Sequence, residues 1–408
     1  MRTTIAPTIP AEEFRSRVGR LQRRMAEQNL DLCIIYGDEY RRENIRYVSN
    51  VWPLFERGAL LVTRIGEPIL LAAPEGELLC REASAWSDIR LVPDFACVTV
   101  PEDIEYPHAA YTDFRKVFAE ISQRCPLRRA GIVGIDAMAY PVYQAIARQL
   151  ANCEIIDANA LLIAERLHKS AAEIACLQEA ARIADTAYLA LMEAARPGAK
   201  EIHLSAAAHE AAYREGAENV PFCLVSSGER VNTIIGRATN KAIAPGDMVM
   251  AALAVQYEGY IATINFPFVV GAMSSGQKAF IDLLVGANEI AKSKLKAGAA
   301  QADLVRAIKA YFKACNVSRY DLYPPLHGCG VAEAESPYPN ENTAGIFAPG
   351  MTVNTDISLF GHPDGSNRIE ECFVITEEGY KPMSALVGQL SRQWLESGVV
   401  DFAAVKLG

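Results

Sequence analysis

Arg166-Leu-His-Lys-Ser-Ala-Ala-Glu-Ile174 is the stretch from which the fold is read. Ser170 followed three residues later by Glu173 is a capping box: each side chain satisfies a backbone N–H that a helix start leaves unpaired. The helix it opens should run to about Ala195, where Arg196-Pro197-Gly198 stops it. Pro197-Gly198-Ala199 then leads into a second helix carrying Leu204, Ala208 and Tyr213. One hundred residues later Ala297-Gly298-Ala299 leads into a helix carrying Leu304, Ile308 and Tyr311, and strand-like sequence follows each helix pair. Two αα-β halves related by a pseudo-twofold would produce this echo. Helix–Gly–helix is also common enough to repeat by chance, and both readings stand at this level.

Upstream of a boundary near 160–170 the elements are short. Phe14, Val18, Leu21 and Met25 recur at helical spacing within 11–28, which predicts an amphipathic helix. Leu30–Tyr36 reads as a buried strand, and Gly58–Thr63 with Pro68–Ala72 as a hairpin around Gly66. Ala130–Ile135 and Glu154–Asp157 read as strands with a helix near 140–151 between them. This half is therefore α/β.

Composition narrows the function class. At 408 residues two domains are expected, and 50% hydrophobic with 22% charged residues describes a chain with a full core. A net charge of −9 without a basic block argues against nucleic acid or an anionic membrane as partner. Ten scattered cysteines without a CxxC pair read as reduced thiols, which places the protein in the cytoplasm. No apolar leader stands at the N-terminus. The apolar stretch Met248–Val270 contains Glu258 and Pro267, so it reads as buried strands and a turn rather than a membrane span.

The motifs come in a telling order. Arg166–Ile174 is followed by Tyr257-Glu-Gly-Tyr260, His327-Gly-Cys-Gly330, Glu335-Ser-Pro337, Pro349-Gly-Met351 and Arg368-Ile-Glu-Glu371. Together they resemble the pita-bread fold of creatinase, aminopeptidase P, prolidase and methionine aminopeptidase, over nearly the whole chain. The resemblance implies a mixed α+β and α/β fold. A small N-terminal creatinase-like α/β domain, residues 1–164, would precede a pseudo-twofold pita-bread catalytic domain, 165–408. It also implies where two divalent cations would bind. Carried over position by position, the family's two Asp ligands fall on Ala252 and Thr263, its His on His327, and its two Glu on Asp356 and Glu370. A second family His falls on Ala334. Two divalent cations bring four positive charges, and hard cations need anionic oxygens. Only two carboxylates remain here, so no metal and no cofactor is expected. A single ion on His327, Asp356 and Glu370 stays open as an alternative.

Creatinase is a metal-free member, so a depleted site does not imply a dead enzyme. Its catalytic His, however, should fall near Ile235–Arg237, where none stands, and its guanidinium-binding Glu falls on Asn265. Creatine itself is therefore not expected as substrate. Phe55-Glu-Arg57 matches the Phe-x-Arg with which creatinase holds a substrate carboxylate across the subunit boundary, so the resemblance implies a homodimer with a shared pocket. An Arg fork suits a carboxylate, though a surface arginine at a strand start would look the same.

The expected catalytic residues are His327, Asp356 and Glu370. His327, with an ordinary pKa near 6.5, suits proton transfer. Strand parity places Glu370 with Arg368 and Cys372 on one face. The expected substrate-binding residues are Arg57, Phe55, Thr263, Asn265 and Tyr260, with Glu335 and Arg237 at the rim. The implied function is metal-independent hydrolysis of a C–N bond (amide, amidine or ureido) in a small carboxylate-bearing nitrogen compound, as in creatinase and ectoine hydrolase. An Xaa-Pro metallopeptidase with a reduced metal site and a non-catalytic pita-bread binding module are the alternatives.

Overall fold

The computed structural model describes residues 6–97 and 109–407. It divides into two units, Pro10–Arg166 and the remainder, with the chain up to Ile9 assigned to the second.

The first unit begins with α1 (Ala11–Glu27), which buries Phe14, Val18, Leu21 and Met25. Each such side chain contributes about 1.5–3 kcal/mol by leaving water. There follow β1 (Leu32–Asp38), α2 (Glu43–Ser49), β2 (Arg57–Thr63), β3 (Ile69–Ala72), α3 (Glu77–Ala83) and β4 (Ile89–Leu91). The unit continues through α4 (Phe114–Arg124), β5 (Arg129–Val133), α5 (Tyr140–Gln149), β6 (Glu154–Asp157) and α6 (Asn159–Arg166). The six strands form one sheet in the order β4-β3-β2-β1-β5-β6. β2 and β3 make the expected hairpin, with Gly66 at φ 92° in its turn, a conformation glycine adopts without steric cost.

The second unit opens with α7 (Ala171–Ala194), whose capping box forms as expected: Glu173 N–H donates to Ser170 Oγ and Ser170 N–H to Glu173 Oε2. α8 (Glu201–Arg214) leads to β7 (Asn219–Ser227), β8 (Met248–Tyr257), β9 (Tyr260–Ile264) and β10 (Phe268–Val269). β8 and β9 are joined by Glu258-Gly259, both left-handed at φ 50° and 84°, the turn that matches the twist of a two-residue hairpin. The apolar stretch Met248–Val270 is thus strand, turn and strand. Then come α9 (Ser275–Lys294), α10 (Gln301–Ala314), β11 (Leu326–Gly328), β12 (Thr352–His362), β13 (Gly365–Ile375), β14 (Tyr380–Pro382) and α11 (Leu386–Ser397). No helix of the described residues is long and apolar enough to cross a membrane.

The echo in the sequence is a repeat in hydrogen bonding. Gly198 N–H donates to Ile243 O and Gly298 N–H to Phe347 O, both at 2.9 Å. Ile243 N–H answers to Ala199 O and Phe347 N–H to Ala299 O. Both glycines are left-handed, at φ 84° and 78°. β8 of the first half therefore corresponds to β12 of the second, with Ala252 standing where the second half has Asp356.

The halves meet where Asn265 and Glu370 exchange backbone hydrogen bonds, at 3.2 and 3.0 Å. The Asn265 side chain locks this seam. Its Oδ1 accepts from Ala251 N–H at 3.0 Å and Tyr188 Oη–H at 3.3 Å, and its Nδ2 donates to Asn367 Oδ1 at 3.0 Å and to the Arg368 carbonyl. The amide is fully buried, so deleting it strands partners that water cannot reach. Asn265→Ala is expected to destabilise the chain by on the order of 3 kcal/mol in urea denaturation followed by circular dichroism. A loss below about 1 kcal/mol would mean that the seam does not depend on this side chain.

Candidate functional site

β11, β12 and β13 lie side by side, and their register decides which side chains meet. His327 is paired with Asn354, Asp356 with Glu370, and Ser358 with Arg368. Because alternate residues share a face, His327, Asn354, Asp356, Arg368, Glu370 and Cys372 all project from one side. His327, Asp356, Arg368 and Glu370 line a cavity of about 740 Å³, together with Ala252, Glu333, Arg237 and mostly apolar neighbours.

The inner end of this cavity is an ion cluster. Arg368 Nη1 lies 3.2 Å from Glu370 Oε1 and 3.4 Å from Asp356 Oδ2. All three are buried, and the guanidinium lies against the rings of Tyr323 and Phe360, its carbon 5.3 and 5.2 Å from their centroids. Aromatic faces favour a cation partly stripped of water. Asp356 Oδ1 and Glu370 Oε2 have no hydrogen-bond partner and are inaccessible to water. A buried carboxylate in that condition holds its proton more tightly. Burial pushes Glu370 up to about 8, opposed by Arg368 and assisted by the charge of Asp356. Burial also raises Asp356, against the pull of Arg368 and His327. Both carboxylates are thus raised by their burial, and Arg368 opposes the rise in each.

His327 is held at both ring nitrogens. Nδ1 lies 2.8 Å from Gly328 O, which can only accept, so Nδ1 carries a hydrogen. Nε2 receives Asn354 Nδ2 at 3.3 Å and faces Glu333 Oε1 at 3.8 Å. Burial would lower the imidazole, but the Glu333 carboxylate and the Gly328 carbonyl raise it above its ordinary value. Nε2 is therefore the nitrogen that gains and loses a proton. The glycines of His327-Gly-Cys-Gly330 owe their place to the chain itself. A Cβ on Gly328 would collide with Ser336 O, and one on Gly330 with the Glu335 carboxylate.

The other expected residues are dispersed. Arg237 lines the cavity. Thr263 does not, but its hydroxyl donates at 3.2 Å to Glu333, which does. Asn265 does not line the cavity, and its buried amide is engaged in the seam between the halves. Tyr260 and Glu335 have partners elsewhere in the same unit. Tyr260 Oη–H donates to Glu173 at 3.0 Å, and Glu335 forms a buried ion pair with Lys169 at 2.5 Å; neither lines the cavity. Arg57 and Phe55 belong to the first unit, where Arg57 Nη1 donates to Ala96 O at 3.1 Å and Phe55 is exposed. Arg368 and Glu333 are the residues that sequence reading did not promote to the site. Strand parity already aligned Arg368 with Glu370, whereas Glu333 sits in a loop without periodicity.

The donor set does not fit a pair of divalent ions. Ala252 presents a methyl group, Thr263 a neutral hydroxyl bonded to Glu333, and Arg368 sets a positive charge against both remaining carboxylates. Among the described residues no three His, Cys, Asp or Glu are grouped to hold a metal ion, His327, Asp356 and Glu370 included.

Comparison with known proteins gives the same architecture. Residues 17–168 match the creatinase/prolidase N-terminal domain and residues 175–377 the metallopeptidase family M24. The Xaa-Pro dipeptidase of Pyrococcus furiosus is 24% identical over 72% of this chain and 83% of its own. The creatinase of Bacillus sp. strain B-0618 is 22% identical over 92% and 91%. The crystal structure of the prolidase from Pyrococcus horikoshii OT3 superposes with a TM-score of 0.77, at 22% identity, over 90% of this chain and 98% of that one.

The raised value of Glu370 carries a stability consequence. Folding favours its protonated form, so its contribution is complete below its unfolded value near 4.5 and is lost as pH rises through about 8. Glu370→Gln removes this dependence. Between about pH 5 and about pH 9 the variant should gain stability relative to the wild type, measured as the difference in urea midpoints. A difference that stays constant over that range would show that Glu370 remains ionised.

Proposed function

The chain belongs to the pita-bread family of creatinase, aminopeptidase P and prolidase, whose members are hydrolases of C–N bonds, and from that premise we propose that it hydrolyses such a bond without a metal ion. The observation that supports metal independence is Arg368 within 3.4 Å of both surviving carboxylates, on a site where Ala252 supplies no donor.

The chemistry follows from the two kinds of proton carrier. Hydrolysis forms a bond between water oxygen and the carbonyl-type carbon, breaks C–N, and moves a proton from water to the departing nitrogen. The base is Asp356 Oδ2 or Glu370 Oε1, the carboxylate oxygens beside Arg368 Nη1, which takes the proton from water. His327 Nε2 delivers one to the nitrogen, with Asn354 orienting the ring and Glu333 stabilising its charged form. Two acids tuned by their surroundings divide the acid and base work. The substrate class is a carboxylate-bearing nitrogen compound, and a homodimer is part of the proposal. A second reading, peptidase action on Xaa-Pro dipeptides, is favoured by the names of relatives such as the Pyrococcus furiosus enzyme.

The test is hydrolysis of small amides, ureido acids, cyclic amidines and Xaa-Pro dipeptides before and after exhaustive chelation. Activity should survive chelation, and His327→Ala should lower kcat by about 10²–10⁴-fold. Activity abolished by the chelator and restored by manganese or zinc would replace this proposal with the metallopeptidase.

A further inference from the structure

The cavity is larger and more apolar than a small zwitterion needs. Its volume, about 740 Å³, lies in the range that holds drug-sized ligands. Phe222, Leu224, Ile235, Tyr323, Leu326 and Tyr338 form much of its wall. Ile235 is 68% exposed and Tyr338 53%, so apolar surface is left facing water where a ligand would cover it.

Charge is distributed unevenly along the same cavity. At the inner end the charges answer one another: Arg368 meets Asp356 and Glu370, and Glu333 faces His327. A ligand cation is not required there. Arg237 differs. It is exposed, lines the cavity, and has no ion pair among the described residues. A free guanidinium beside an apolar wall selects a carboxylate attached to an apolar body.

We propose that the cavity binds N-acylated amino acids with a bulky apolar acyl group, the acyl group lying on the apolar wall and the carboxylate on Arg237. The amide between them then faces His327 and the carboxylate pair. This deepens the hydrolase reading and rests on it for the fate of the amide, but binding is independent of turnover. It also assigns the carboxylate to a residue of the same unit as His327, in place of Arg57.

The probes are N-benzoylglycine, N-acetylglycine and N-benzoylglycinamide, titrated calorimetrically into the full chain. Replacing methyl by phenyl should tighten binding about tenfold or more, as burial of that apolar area requires. Arg237→Ala should weaken N-benzoylglycine about tenfold or more while leaving the neutral N-benzoylglycinamide within about twofold, and Arg237→Lys should restore part of the loss. Equal affinity for the acetyl and benzoyl acids, no binding of either, or loss of the acid on Arg57→Ala but not on Arg237→Ala would overturn the inference. Release of glycine is followed separately. Turnover without acyl preference sinks this inference and leaves the hydrolase reading. The predicted binding pattern without any glycine release sinks the hydrolase reading and leaves the binding site.

Discussion

A guanidinium buried against two carboxylates is costly to desolvate, and only close pairing offsets the cost. Arg368 is in that position, 8% exposed at its side chain and within 3.4 Å of Asp356 and Glu370. Removing it would leave two like charges buried together, and removing either acid would leave a buried cation with one partner. The neutralised inner end of the cavity and the poor fit to divalent ions depend on this cluster, whose cation opposes the rise that burial gives Glu370. The cation that organises these carboxylates is supplied by the chain itself.

The repeat explains how the cluster arises. The two halves of the second unit use the same helix pair, the same left-handed glycine and the same exchange of backbone bonds, so β8 and β12 hold equivalent positions. One half contributes Asp356, the other the methyl of Ala252. The scaffold stays symmetric while the chemistry becomes one-sided. Asn265 keeps the halves in register through hydrogen bonds to both strands that flank the seam, so the geometry of Glu370 is set by an amide that does not line the cavity.

Much of this was legible in the sequence because it is local. The capping box at Ser170 and the hairpin at Gly66 depend on neighbouring residues, and each forms where the pattern puts it. The equivalence of Gly198 and Gly298 was visible as spacing, but only paired hydrogen bonds separate duplication from coincidence. Parity along β13 aligned Arg368 with Glu370 without revealing that Asp356 completes the trio, since that depends on cross-strand register. A polar residue on a buried strand, as Asn265 is, has the same appearance in sequence whether it serves a ligand or its own backbone. Glu333 lies in a loop whose path no periodicity encodes.

The position of Arg368 is directly measurable. Anomalous X-ray diffraction at the zinc edge, from crystals of the full chain equilibrated with zinc, reads both the metal and the side chain at once. The account predicts guanidinium density bridging Asp356 and Glu370 and no anomalous peak between the carboxylates. A peak there, with Arg368 turned away, would contradict it.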